Sequence, residues 1–151
     1  AGHAKGIRLI TTYSDVDRCV IVTGADDKTV RITSMTFGQG SSEKVIVREE
    51  SIDLVFEVDA PPTSVALAGV KGGSFCKYTP TCDEPVAVAG VVEGEVVAVS
   101  KSREESAMRV RVGEEGKDEK VVGVSVLGRS VIGVTESGRI ACIQPKGDGE
   151  E

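Results

Sequence analysis

Short apolar runs rich in valine recur along this chain, separated by glycine or acidic turns, and that rhythm limits the fold more than any other feature. The first set is residues 7–12 (IRLITT), 18–23 (RCVIVT), 28–34 (KTVRITS) and 44–48 (KVIVR). A second set is 63–68 (TSVALA), 85–89 (PVAVA), 95–100 (EVVAVS) and 108–112 (MRVRV). A third is 121–126 (VVGVSV), 130–135 (SVIGVT) and 139–143 (RIACI). Runs this short, closed by turn residues, match strands better than helices. Valine supplies roughly one residue in six, and β-branched side chains are stiff at χ1 and pack well on a pleated surface. The fold class expected is all-β.

The three sets start near residues 7, 63 and 121, so the chain repeats with a period of roughly 57 residues. The units span about 1–50, 51–113 and 114–151, and the last lacks its fourth strand. Within each unit the second and third runs are joined by a tight turn: 24–27 (GADD), 92–94 (VEG) and 136–138 (ESG). The longer connections 39–43, 72–84, 102–106 and 113–120 read as solvated loops, and only 102–107 could hold a helical turn. A four-stranded antiparallel unit cannot bury both faces alone. Stacking such units radially solves this, which predicts β-propeller blades in an incomplete ring, since closed propellers need about four to eight. The preferred expectation is a segment of a larger ring; completion by other chains is the second.

The net charge of −6 and the absence of a basic stripe argue against a nucleic-acid partner. An acidic surface suits either a basic protein partner or solubility alone. No apolar run approaches the roughly 20 residues needed to span a bilayer. The four cysteines, Cys19, Cys76, Cys82 and Cys142, form no CxxC pair and lie far from His3 in the main, so no metal site and no cofactor is expected. Three of them sit in apolar runs and read as buried free thiols in a reducing, cytoplasmic setting.

Gly2-His3 precede the first run, Thr23 sits on the second, Asp27 holds the turn, and Thr33 closes the third. This arrangement resembles the WD repeat of β-propellers, whose Gly-His, Ser/Thr, Asp and Trp form a buried hydrogen-bonded chain; here Thr33 stands where the tryptophan would be. The resemblance implies structural hydrogen-bond roles for His3, Thr23 and Asp27. In the later units Glu93 and Ser137 stand near the turn aspartate's position, Val99 and Ile143 stand near the tryptophan's, and neither unit has a Gly-His, so those blades would rely on packing. The stretch 26–34 (DDKTVRITS) is also similar to the actin-interacting WD-repeat proteins that cooperate with cofilin, and 62–67, 119–124 and 135–140 follow in the same order. That family has two joined seven-bladed propellers, binds actin filaments and promotes disassembly of cofilin-decorated filaments. The resemblance implies a non-enzymatic interaction module of the cytoplasmic cytoskeleton, with actin filaments and cofilin as partners. No contact residue carries over, because the matching positions belong to the scaffold.

Other motifs have bland readings that outweigh sharper ones. Asp26 and Asp27 are adjacent on a tight turn, where carboxylates diverge, so acid–base or cation chemistry is not their expected role. Asp15-Val16-Asp17 lacks the further oxygen ligands of a calcium loop. Residues 69–74 (GVKGGS) miss the GxxxxGK[ST] spacing of a phosphate loop and read as a flexible turn. Cys76 and Cys82 form at most a weak redox pair. Glu49-Glu50 and Glu114-Glu115 read as ordinary surface charge. A propeller enzyme would need acids, histidines or metal ligands converging at its channel, and the chain has one histidine.

Overall fold

The computed structural model describes residues 6–14, 18–39, 45–58, 60–100, 108–112 and 119–144. His3, Asp15, Asp17, the stretch 102–107 and Glu114-Glu115 lie outside them. Among the described residues there are strands and turns but no helix. Strands β1 (Ile7–Ser14), β2 (Arg18–Ala25), β3 (Thr29–Gln39) and β4 (Val45–Glu57) form the first sheet, in chain order. The middle sheet contains β5 (Pro62–Lys71), β6 (Ser74–Lys77), β7 (Glu84–Val91), β8 (Glu95–Val99) and β9 (Met108–Arg111), in the order β6-β5-β7-β8-β9. The last sheet holds β10 (Val121–Leu127), β11 (Ser130–Thr135) and β12 (Ile140–Ile143). Every pairing is antiparallel.

The repeat read from the sequence reappears in backbone detail. Each sheet's first strand carries a bulge at its start, between Ile7 and Leu9, between Pro62 and Ser64, and between Val121 and Gly123. The turn from second to third strand is also shared. Amides of Lys28, Gly94 and Gly138 bond the carbonyls of Ala25, Val91 and Thr135 at 3.2, 3.1 and 2.9 Å. All three donors have positive φ, at 65°, 90° and 90°. Glycine adopts that backbone freely and lysine does so at a cost.

Two apolar layers separate the three sheets. Val20, Val22, Val30 and Ile32 of the first sheet pack against Ala87, Ala89, Val91 and Val99 of the middle one. Val86, Val88, Val96 and Ala98, on the opposite face of that middle sheet, pack against Val121 and Val131 of the last. Alternate residues of β7 therefore serve different layers, as the period of a strand requires. Glycines let the sheets close up at matching places. A Cβ on Gly24 would lie 3.1 Å from Pro62 and 3.2 Å from Val65, and one on Gly90 would lie 2.4 Å from Val121 and 3.2 Å from Val124. The stack is also pinned by polar contacts: Val124 N donates to Ser64 Oγ at 3.0 Å, and the Thr63 hydroxyl hydrogen-bonds the Val121 carbonyl.

The chain is thus all-β, with propeller-type blades in an incomplete ring. One expectation needs correction. Residues 72–84 are not simply a solvated loop, because β6 runs through them and adds a fifth strand at the free edge of β5. The two-residue turn Gly72-Gly73, with φ of 60° and 80°, suits a type I′ hairpin. Phe75 is buried in one apolar layer and Tyr78 in the other, which holds the insert down. β3 and β4 also extend well past the expected 28–34 and 44–48, as a long bulged hairpin.

Candidate functional site

The first strands of the three sheets come together, and between them lies a groove of about 310 Å³. Thr11, Thr12 and Tyr13 of β1, Val65 to Leu67 of β5, and Val124 to Val126 of β10 line it, with Lys77 and Tyr78 from the insert. Tyr13 and Tyr78 meet edge to face, with ring centroids 5.2 Å apart and planes at 69°. Such pairs are worth about 1 kcal/mol beyond their buried area, so the insert and β1 are held together across the groove. Hydroxyls, one ammonium group and an apolar floor converge here. This set can hold a polypeptide or a polar small molecule, and it presents no paired nucleophile and base.

A second recess of about 200 Å³ lies at the bulged ends of the strands. Arg8, Asp26, Pro61, Thr63, Val92 and Lys120 are among its walls. Arg8 and Asp26 are 3.4 Å apart and both exposed, a pairing worth little in stability. Its value is positional, since it places one cation and one anion at the rim.

The insert is internally tied. Lys71 Nζ donates to Thr81 Oγ1 at 3.2 Å, Gly72 N to Asp83 Oδ2 at 2.9 Å, and Asp83 N to Val70 O at 2.7 Å. Cys76 and Cys82 lie with Sγ atoms 3.5 Å apart, closer than their spacing in sequence suggests. Burial pushes the Cys76 thiol above its ordinary pKa, and its hydrogen bond with Cys82 pushes the same way. Both groups are thiols and neither is bridged. Burial likewise raises Cys19, which is buried, whereas Cys142 is exposed and departs from the buried thiol expected of an apolar run.

Thr23 lies on β2 and Asp27 in the following turn, where the carboxylate accepts from Thr29 N at 3.0 Å and from the Thr29 hydroxyl. Asp27 therefore caps its own hairpin. Glu93 and Ser137 hold the equivalent turn position, and Ser137 donates to Glu119 at 2.7 Å. Thr33, Val99 and Ile143 are equivalent by register, facing Ile21, Ala87 and Val131. His3, the remaining WD-type position, is outside the described residues.

Sequence reading missed Tyr13, Lys77 and Tyr78. A signal was available for the insert: the chain has only two tyrosines and three phenylalanines, and Phe75 and Tyr78 both fall in a stretch read as loop. Among the described residues no cluster of three or more histidine, cysteine or acidic side chains is arranged to hold a metal ion. Among the described residues there is no helix long and apolar enough to cross a membrane.

No family model matches the chain, and no curated protein matches it. Among solved structures, the computationally designed Ika4 protein matches with a TM-score of 0.38 and 12% identity. That match covers 96% of this chain and 94% of the designed one. A likeness at this level carries no conclusion about function.

Proposed function

We propose that the chain is a protein-interaction segment of a WD-type propeller that binds actin filaments and promotes their cofilin-dependent disassembly, without chemistry of its own. The supporting observation is the β2–β3 hairpin. The stretch 26–34 that resembles the cofilin-cooperating family folds as an acidic turn between two paired strands, with Asp27 capping it. In mechanism, a rigid blade set presents fixed loops and a groove to one state of the filament. Binding one state better than another shifts the population toward it. The test is cosedimentation of the full chain with cofilin-treated actin filaments, alongside measurement of filament length. Recovery in the pellet with shortened filaments is expected; a chain left in the supernatant with lengths unchanged overturns the reading.

A second reading keeps the scaffold and changes the partner. It is favoured by Val99 and Ile143, which put apolar side chains where a WD blade has its hydrogen-bonding tryptophan. Under it the Tyr13–Tyr78 groove receives a peptide from some other assembly. Tyr78→Ala would then abolish partner capture while leaving actin irrelevant.

A further inference from the structure

Five residues, KYTPT, separate Cys76 from Cys82, and the insert folds the two back onto each other. Cys76 lies on β6 opposite Gly69 of β5. Residues directly opposite on antiparallel strands point their side chains to the same face of the sheet. Glycine has no side chain, so the space beside Cys76 is open at Gly69. Cys82 fills it: a Cβ on Gly69 would lie 2.5 Å from Cys82 Sγ and 3.0 Å from Cys82 Cβ. The two sulfurs meet there, 3.5 Å apart. Hydrogen bonds fix the second sulfur in place. Cys82 N donates to Thr79 O at 3.0 Å, Thr79 N donates to Cys82 Sγ at 3.3 Å, and Asp83 N ties the next residue to Val70 O of β5 at 2.7 Å. Both cysteines are half-buried, while Thr79, Pro80, Thr81 and Asp83 around them are exposed, so a small reagent can reach the pair.

We propose that Cys76 and Cys82 form a reversible thiol–disulfide site, which a low-molecular-weight disulfide of the glutathione class oxidises to a bridge that locks the loop carrying Tyr78. Burial pushes the Cys76 thiol up, which leaves the first attack to Cys82. Cys82 loses its proton to solvent and attacks one sulfur of the reagent. The reagent's S–S bond breaks, and one reagent thiol leaves with a proton. Cys76 then loses its proton and attacks the sulfur of Cys82, displacing the second reagent thiol. One S–S bond has formed and one has broken; the cysteines are oxidised, and an electron pair has passed to the reagent.

Closure brings the sulfurs from 3.5 Å to about 2.05 Å, an approach of about 1.5 Å. The ring so closed runs over residues 76–82 and holds Lys77 and Tyr78, both of which line the groove. Tyr78 packs on Tyr13 of β1, so the bridge restrains the loop that joins the insert to the first sheet. The other two thiols serve as contrasts, since Cys19 is buried and Cys142 is exposed. The inference goes beyond the actin reading and does not rest on it.

Incubating the folded full chain with oxidised glutathione, then alkylating, unfolding and mapping it with trypsin, tests the site. Trypsin cuts after Lys77, between the two cysteines, so the bridge joins peptides 72–77 and 78–101. That linked pair is expected, about 2 Da lighter than the two reduced peptides and lost on adding dithiothreitol. Cys142 stops at the glutathione adduct and shows that the reagent is active. Cys76→Ser traps the adduct on Cys82. In urea the ratio of bridged to unbridged chain, at a fixed ratio of oxidised to reduced glutathione, falls about tenfold or more, because the fold and not the short spacing holds the sulfurs together. Gly69→Ala, whose Cβ takes the space of Cys82 Sγ, lowers that ratio likewise with the strand signal in circular dichroism kept. If the alanine disturbs the strand signal, the urea comparison decides alone. Amide exchange across residues 77–82 slows about fivefold or more in the bridged chain. Free thiols at both positions while Cys142 carries glutathione, adducts on Cys76 and Cys82 that persist without bridging, equal bridging in urea, or amide exchange unchanged by the bridge overturns the proposal.

Discussion

β7 and β11 hold the same place in consecutive sheets, yet one is buried along nearly its whole length and the other alternates. β7 lies between two sheets and, after Glu84, reads as an unbroken apolar run, PVAVAGV. β11 has one covered face and reads SVIGVT, with buried and half-buried positions in turn. The lesson is that the apolar run reports how many faces are covered. A doubly covered strand needs apolar residues at both parities, whereas a singly covered one needs them at one.

The largest expected effect breaks the comparison at its tightest point. Gly90→Val forces side-chain atoms into Val121 and lowers the unfolding free energy by about 3 kcal/mol or more, read by urea titration. Val134→Gly, at the matching position of the last sheet, removes a half-buried side chain and costs only about 1 kcal/mol. Equal losses at the two sites would mean that the middle sheet is not specially enclosed. Next in size, Val88→Ala leaves a cavity at a fully buried site and costs about 2 kcal/mol, while Ile132→Ala costs less than half as much despite deleting more atoms. Thermal or chemical denaturation of the pair sharpens the contrast.

The shared turn gives smaller effects, of opposite sign. Gly138→Ala places a side chain at φ of 90° with open space around it, so the loss of about 1 kcal/mol is backbone strain alone. Lys28→Gly relieves the same strain in the first sheet and gains about 0.5 kcal/mol, after the added flexibility of the unfolded chain is subtracted. A loss at Lys28→Gly would show that the lysine side chain contributes more than its backbone costs.

Most of the fold was legible because strand period and turn chemistry are local properties. The apolar runs mark eleven of the strands, and the resemblance to a WD repeat placed Glu93 and Ser137 near the turn position that Asp27 holds. β6 was not legible, since its four residues, SFCK, carry no alternation long enough to register, and Gly72-Gly73 looks the same in a flexible loop as in a hairpin. The groove was hidden for a different reason. Tyr13 and Tyr78 are far apart in sequence and meet only when the first and middle sheets stack. The long β3–β4 hairpin was underestimated because the apolar run stops at Arg48 and Glu49-Glu50 read as surface charge, although the paired backbone continues through them.

Everything here depends on consecutive sheets stacking face to face through matched glycines. Nuclear Overhauser contacts in a labelled sample test that most directly. Gly24 α-protons should show cross-peaks to Val65 methyls, and Gly90 α-protons to the methyls of Val121 and Val124. Strong peaks at both glycines are the expected result; a folded β-protein lacking both would contradict the stacked-blade account.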